Sequence, residues 1–466
     1  MPQSTPGGEV GAPMNETRRL AEFVHDTHYA DLPKEVVEAC RVFLLDSLAS
    51  ALVGARTPWA KMVRELAAEN GGAGPCSMLG TGETASASYA ALANGTAIAG
   101  FETDQAFYPG SCHPGAVVLP ALLAAAQRER VDGRRFLEAL ALGYEAVCRI
   151  GLAAGRAVED KAGFHGPGTN GPFGGAMGAG KAMGLGVEGL VNALGIAGSQ
   201  GAGLMEFAKT GAMTKRLHLG RAAQTGLESA LLSEKGFTGP NTVLEGERGF
   251  LRVYSPTPDP TLLIRGLGSD WALFGIGCKG YACHLSFHPV IDSVVKFRKR
   301  SGVGGGELEG VKVAINSTVV RKHGQKAPTT ILGAQYSLPF SVAIALLRDV
   351  EDPDTFNEST LWDEDVRALA ERVEPEARET GSSPMAIIVI RSTGKEYKLE
   401  ARDWKGAPSN PYTFGEMSEK FKTYASASLA PGAIEEAIRR VDGLEDARDA
   451  GELAMLLTPD PQRETC

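Results

Sequence analysis

Long apolar runs are missing from this 466-residue chain. No stretch reaches the roughly 18 residues needed to cross a bilayer. Residues 1–15 have neither the basic opening nor the apolar centre of a secretion signal, and their Gly, Pro and Ser content reads as a disordered tail. Cysteine is sparse and unpatterned. The seven, Cys40, Cys76, Cys112, Cys148, Cys278, Cys283 and Cys466, make no CxxC pair and no cluster, which argues against zinc and iron–sulfur sites. They read as reduced, mostly buried thiols in a cytoplasmic chain. An excess of positive charge is also lacking. A formal net charge of -9 argues against a surface for nucleic acid or anionic membrane and leaves only local basic sites for an acidic metabolite.

What is present is an ordinary globular composition, 43% hydrophobic and 22% charged, in a chain long enough for two or three domains. Between residue 16 and about 265, apolar residues recur at helical spacing. They predict helices over 36–52, 58–70, 85–99, 116–128, 133–154, 171–183, 186–199 and 216–236, with no strand alternation among them. From about 273 to 404 the texture changes. Strands are expected at 311–317, 386–392 and 397–402, the last two joined by a turn at Thr393-Gly394-Lys395. Helices are expected at 289–299, 339–347 and 363–372, so this part reads as an α+β unit with an antiparallel sheet. Helical periodicity returns over 414–425 and 431–441. The run 301–306 reads as a flexible surface loop.

One stretch, 163–175, combines six glycines with His165 and runs into small residues up to Gly186. Such glycine density lets backbone approach a ligand or a neighbouring helix, and places His165 within a ligand's reach. Two phosphate-binding readings fail. Residues 166–171 fit GxGxxG, but no apolar strand precedes them and Pro167 stiffens the turn. Residues 175–181 fit GxxxxGK, but Ala182 stands where a magnesium-binding hydroxyl is needed.

The titratable residues gather in loop-like or helix-start contexts. Glu102-Thr103-Asp104-Gln105 leads to His113 through a stretch with Pro109 and Gly110, a composition suited to a rigid active-site loop or, more plainly, to a capped helix connection. Lys215, Arg216, His218 and Arg221 cluster at a helix start. Cations there oppose the helix dipole, so they are either a solvated basic face or a carboxylate site. Lys279, His284 and His288 stand where the helical texture gives way to α+β, as an interdomain linker or as one wall of a cleft. No HExxH-like pair lies on a helix, so metal-free acid–base chemistry, with histidine moving protons and lysine holding a carboxylate, is the expectation.

Seven ordered motifs then add a resemblance. They are Phe43-Leu44-Leu45-Asp46-Ser47-Leu48, Asn94-Gly95-Thr96-Ala97, the nine residues 113–121, Gly163-Phe164-His165, the ten residues 214–223, 236–240 and 334–340. Together they resemble the MmgE/PrpD family, which includes 2-methylcitrate dehydratases, cis-aconitate decarboxylases and iminodisuccinate epimerases. The resemblance implies a mostly α fold: a large all-helical domain built from both chain ends, 16–272 and 408–466, with a smaller α+β lid, 273–407, inserted. It implies a homodimer, and an active site between helical domain and lid at the positions of His113, His165, Lys215, His288 and Tyr336. The family's doubled aspartate appears here as Glu102-Thr103-Asp104-Gln105, and the threonine and tryptophan that often follow it in dehydratase-like members are missing.

The function this implies is a lyase acting on a small polycarboxylate of the citrate or aconitate type, with no cofactor and no metal. Lys215, backed by Arg216 or His218, would hold a substrate carboxylate, and His113 would orient it. His165 or His288 would move a proton beside a carboxylate, with Tyr336 as relay. Lys279, His284, Glu102 and Asp104 complete the expected substrate site. Epimerisation of an iminodisuccinate-like dicarboxylate would use the same residues, and a catalytically silent metabolite-binding protein is the alternative from another class.

Overall fold

The computed structural model describes residues 15–379, 381 and 383–459; the tail expected over 1–15 lies, except for Asn15, outside the described residues, as does Cys466. Among the described residues helices dominate, accompanied by one two-stranded and one four-stranded sheet. Among the described residues, no helix is long and apolar enough to cross a membrane.

The helix ends follow local signals. The Asp132 side chain accepts from the Arg135 amide at 3.1 Å to open the helix Gly133–Ala154, and Gly155, at φ 68°, closes it. Thr413 and Glu416 form a reciprocal cap on Phe414–Ala425. Both helices span the residues expected.

The glycine-dense stretch behaves differently. Its helix runs Gly166–Met183, five residues earlier than the expected start at 171, and includes most of the segment read as an exposed approach to a ligand. Seven glycines and two prolines make this a poor helix in isolation, since each interior glycine costs about 0.5–1 kcal/mol relative to alanine. Tertiary packing overrides that propensity. The helix lies buried among Pro114–Glu129, Gly133–Ala154, Val187–Gly198 and Thr214–Glu234, and glycine permits the closest of these approaches. A Cβ on Gly226 would come within 2.7 Å of the backbone of Gly175 and Ala176. Pro167 falls in the first turn, where no amide partner is needed. Pro172 removes an interior donor, and the Gly168 carbonyl four residues back accepts from the Ala202 amide instead, at 3.1 Å. The His165 amide in turn donates to Gly203 O at 3.0 Å, so the 201–203 segment is stitched along the start of this helix.

A small antiparallel ribbon, β1 (Cys76–Ser77) with β2 (Thr84–Ala85), interrupts the helical half where no strand was expected. The larger sheet comprises β3 (Leu308–Asn316), β4 (Val373–Arg378), β5 (Ala386–Ser392) and β6 (Lys395–Ala401), in the order β4-β3-β5-β6. It is mixed, not antiparallel: β4, which carries Pro375 and alternates weakly, pairs parallel to β3 at the edge. The hairpin turn is two residues, Thr393 and Gly394, at φ 48° and 73°, with Lys395 already in β6. Leu308, Val311, Val313, Ile388 and Ile390 line the buried side, and the helices His288–Ser301 and Leu338–Leu347 pack on the sheet. Beyond the sheet, Phe414–Ala425 packs against Lys34–Ala55, so the chain's late helices touch its earliest long one.

Candidate active site

Two segments far apart in sequence form the floor. Ala106 and Gly277 exchange both backbone hydrogen bonds, each 2.9 Å, as an antiparallel bridge. Two residues along, that register sets Asp104 opposite Lys279, and their side chains meet at 3.2 Å. Beside them Glu102 holds φ 58°, a left-handed conformation that costs a non-glycine residue of order 1–3 kcal/mol.

From there a chain of alternating charge runs through the interior. The Glu102 carboxylate contacts Lys215 Nζ through one oxygen and accepts from Lys279 Nζ at 3.0 Å through the other. Lys215 also donates to the Tyr336 hydroxyl at 2.7 Å, and that hydroxyl donates to Glu102 at 3.4 Å. His113 Nδ1 stands 2.7 Å from the second oxygen of Asp104. Burial pushes the Glu102 carboxyl up, but Lys215 and Lys279 outweigh it and hold the group well below the usual carboxylate range. Burial is likewise outweighed at Asp104, by Lys279 and His113, and that carboxyl lies below its ordinary value. Lys279 is shifted upward: Asp104 and Glu102 outweigh the desolvation that opposes its charge. Burial, with Glu102 nearby, raises the Tyr336 hydroxyl well above its ordinary range, so it stays a proton donor.

Five histidines, His165, His218, His284, His288 and His323, are depressed below their ordinary value, burial being the main cause in each. His165 opens the Gly166–Met183 helix, and its Nδ1 faces His218 Nδ1 at 3.1 Å. Burial, then the Lys215 charge, depresses His165 well below its ordinary value, and burial lowers His218. His165 is 3% exposed, because the Phe207 ring packs edge-on against it at 4.9 Å; the open access expected from its glycine neighbours is absent. His288, fully buried, is pushed to about 3 by burial and by Lys279. Its Nε2 donates to Cys283 O at 3.4 Å, leaving a buried Nδ1 lone pair without a protein partner. His284 stacks on His323 with centroids 4.4 Å apart and meets the Tyr336 ring at 5.1 Å. Burial, then His323, depresses it.

The sequence-derived residues are thus distributed unequally. Glu102, Asp104, His113, Lys215, Lys279 and Tyr336 form one connected chain, His165 pairs with His218, and His284 borders Tyr336. Arg216 is turned aside: its guanidinium lies 4.4 Å over the Trp59 ring and donates to Gly100 O at 3.3 Å, bracing the backbone just before Glu102. Sequence reasoning missed His323, Phe207 and Gln335. The Gln335 carbonyl accepts from the His284 amide at 2.9 Å while its side chain donates to Phe101 O at 3.0 Å, linking the 331–336 turn to both catalytic-loop candidates. Gln335 lies inside a motif already singled out, the one available signal. No local pattern marks His323 or Phe207. Among the described residues, no three His, Cys, Asp or Glu side chains converge as a metal site, and the six described cysteines are free and buried.

A helical protein with a mixed-sheet unit and a buried lysine–carboxylate–histidine centre is the class that fold and site define. The chain belongs to the MmgE/PrpD family: residues 18–263 match the MmgE/PrpD N-terminal domain and residues 281–445 the MmgE/PrpD C-terminal domain. Among curated relatives it is 27% identical over 481 residues to the cis-aconitate decarboxylase-like protein oryM of Aspergillus oryzae, covering 98% of each chain. It is 29% identical to a cis-aconitate decarboxylase of Aspergillus terreus, over 77% of this chain and 78% of that one. The human cis-aconitate decarboxylase is 27% identical, over 95% of this chain and 94% of its own.

Proposed function

We propose that this protein is a cofactor-independent lyase for a small polycarboxylate of the citrate or aconitate type, with loss of CO2 from a cis-aconitate-like acid as the leading reaction. The observation that carries the reading is the buried chain Lys215–Glu102–Lys279–Asp104–His113 beside neutral histidines. The named activities of the relatives favour the same chemistry.

Lysines fixed in a dry site attract carboxylate and stabilise the negative charge that develops on the carbon next to it. Glu102 and Asp104 keep those lysines aimed while no substrate is present. Neutral His165, in contact with His218, accepts or returns a proton at that carbon, and the bare Nδ1 of His288 offers a second acceptor. Tyr336, protonated and hydrogen-bonded to Lys215, relays a proton to the carbanion-like or enolate-like state. Arg216 and His284 hold the shape of the site from behind, and two copies of the chain assemble as a homodimer.

The test is proton NMR of the purified protein in D2O with cis-aconitate, 2-methylcitrate or iminodisuccinate. A new vinyl signal identifies the lyase and its leaving group. Deuterium exchange without a new product would replace the lyase reading with an epimerase, and silence with all three acids would overturn both.

A further inference from the structure

Beyond the Ala106–Gly277 bridge, the two loops of the site are joined by side chains, and one of these comes from neither loop. Lys420, on the late helix Phe414–Ala425, has a side chain 7% exposed, and its ammonium faces the fully buried Asp46 on Lys34–Ala55 at 2.5 Å. The same ammonium donates to the Lys279 carbonyl at 2.5 Å and to the Thr103 carbonyl at 3.5 Å. Those two carbonyls belong to the residue between Glu102 and Asp104 and to the lysine both acids hold. The Cys278 thiol and the Gln105 amide border the Asp46 carboxylate as well. One ammonium therefore ties four separate stretches of chain at the rear of the ion chain, without touching the charged groups of the site.

We propose that Lys420 is a positioning residue, gripping the Thr103 and Lys279 carbonyls against Asp46 and so setting the spacing at which Glu102 and Asp104 meet Lys279. The inference rests on the reading of that ion chain as the active site. Misplacing a charged group by about 1 Å costs roughly 100-fold in rate. A grip on backbone carbonyls is the kind of support that fixes such a distance.

Lys420→Met alone would strand the buried Asp46 carboxylate and confound position with stability. The deciding variant is Asp46→Asn with Lys420→Met, which removes both charges together. Expected are a melting temperature close to wild type, a kcat lower by about 10- to 100-fold, and KM within about threefold. Amide exchange should quicken in peptides covering 101–106 and 277–281, and Lys420→Arg should recover most of the lost rate. Wild-type kcat and unchanged exchange in the double variant would overturn the proposal, as would a rate loss that only tracks loss of folded protein. If the wild type turns over none of the three acids, the lyase reading fails by itself. The exchange rates then decide the positioning role, with acceleration in both segments for it and none against it.

Discussion

His165 and His218 face each other Nδ1 to Nδ1 at 3.1 Å, which requires opposite tautomers: one ring carries its proton on Nδ1 and the other presents a bare nitrogen there. Both are depressed below their ordinary value, His165 the more deeply buried, so neither needs a counter-ion at neutral pH. The tautomer of His218 thereby sets whether Nε2 of His165 carries a proton or a lone pair.

Replacing His165 by alanine should abolish turnover with little change in melting temperature. His218→Ala, which frees the tautomer of His165 without removing that ring, should lower kcat by about 10- to 100-fold. Steady-state kinetics and nitrogen-15 NMR of the imidazoles check this; a His218→Ala enzyme with wild-type kcat would remove His218 from the mechanism.

Glu102→Gln should be costly twice over. It leaves Lys215 and Lys279 as buried cations short of a partner, and breaking one side of such a pair costs about 3–5 kcal/mol. Denaturant unfolding should show that loss and kcat/KM should fall at least about 100-fold. Lys215→Ala should weaken both binding and turnover, because it removes the cation and the partner of Tyr336 together.

The buried neutral histidines predict an acid-labile fold. An unfolded histidine binds its proton near pH 6.5, whereas folded His288 refuses it until about 3 and His323 until about 4, both chiefly because of burial. Each therefore contributes stability that is complete above about 6.5 and is lost as pH falls below it. Glu102 and Asp104 also lose stability on acidification, but only below the ordinary carboxylate range. Between pH 7 and pH 5, His288 alone should account for about 2 kcal/mol of lost stability, and His288→Asn should flatten the pH dependence by that amount. Urea unfolding at the two pH values, wild type against variant, measures the difference.

Gly226→Ala tests the helix packing apart from the chemistry. The added methyl would overlap the backbone of Gly175 and Ala176 across the Gly166–Met183 helix, for a loss of about 1–3 kcal/mol. An unchanged melting temperature would mean that this contact yields more easily than its geometry indicates.

Much of the mostly α fold was legible because helical periodicity, caps and glycine stops are local. Gly133–Ala154 and Phe414–Ala425 can be read from their own residues. Periodicity failed where neighbours supply the stability: at the early turn of Gly166–Met183, whose glycines disfavour a helix that surrounding helices impose, and at β4, an edge strand with little alternation. The site divides the same way. Residue types and motifs determined which acids, lysines and histidines to consider, since charge and proton affinity belong to the side chain. Only the tertiary structure decided that Asp104 meets Lys279 across an antiparallel register, that Arg216 turns to Trp59, and that Phe207 covers His165. Contacts between residues distant in sequence depend on how the chain closes on itself, and local spacing carries no record of that closure.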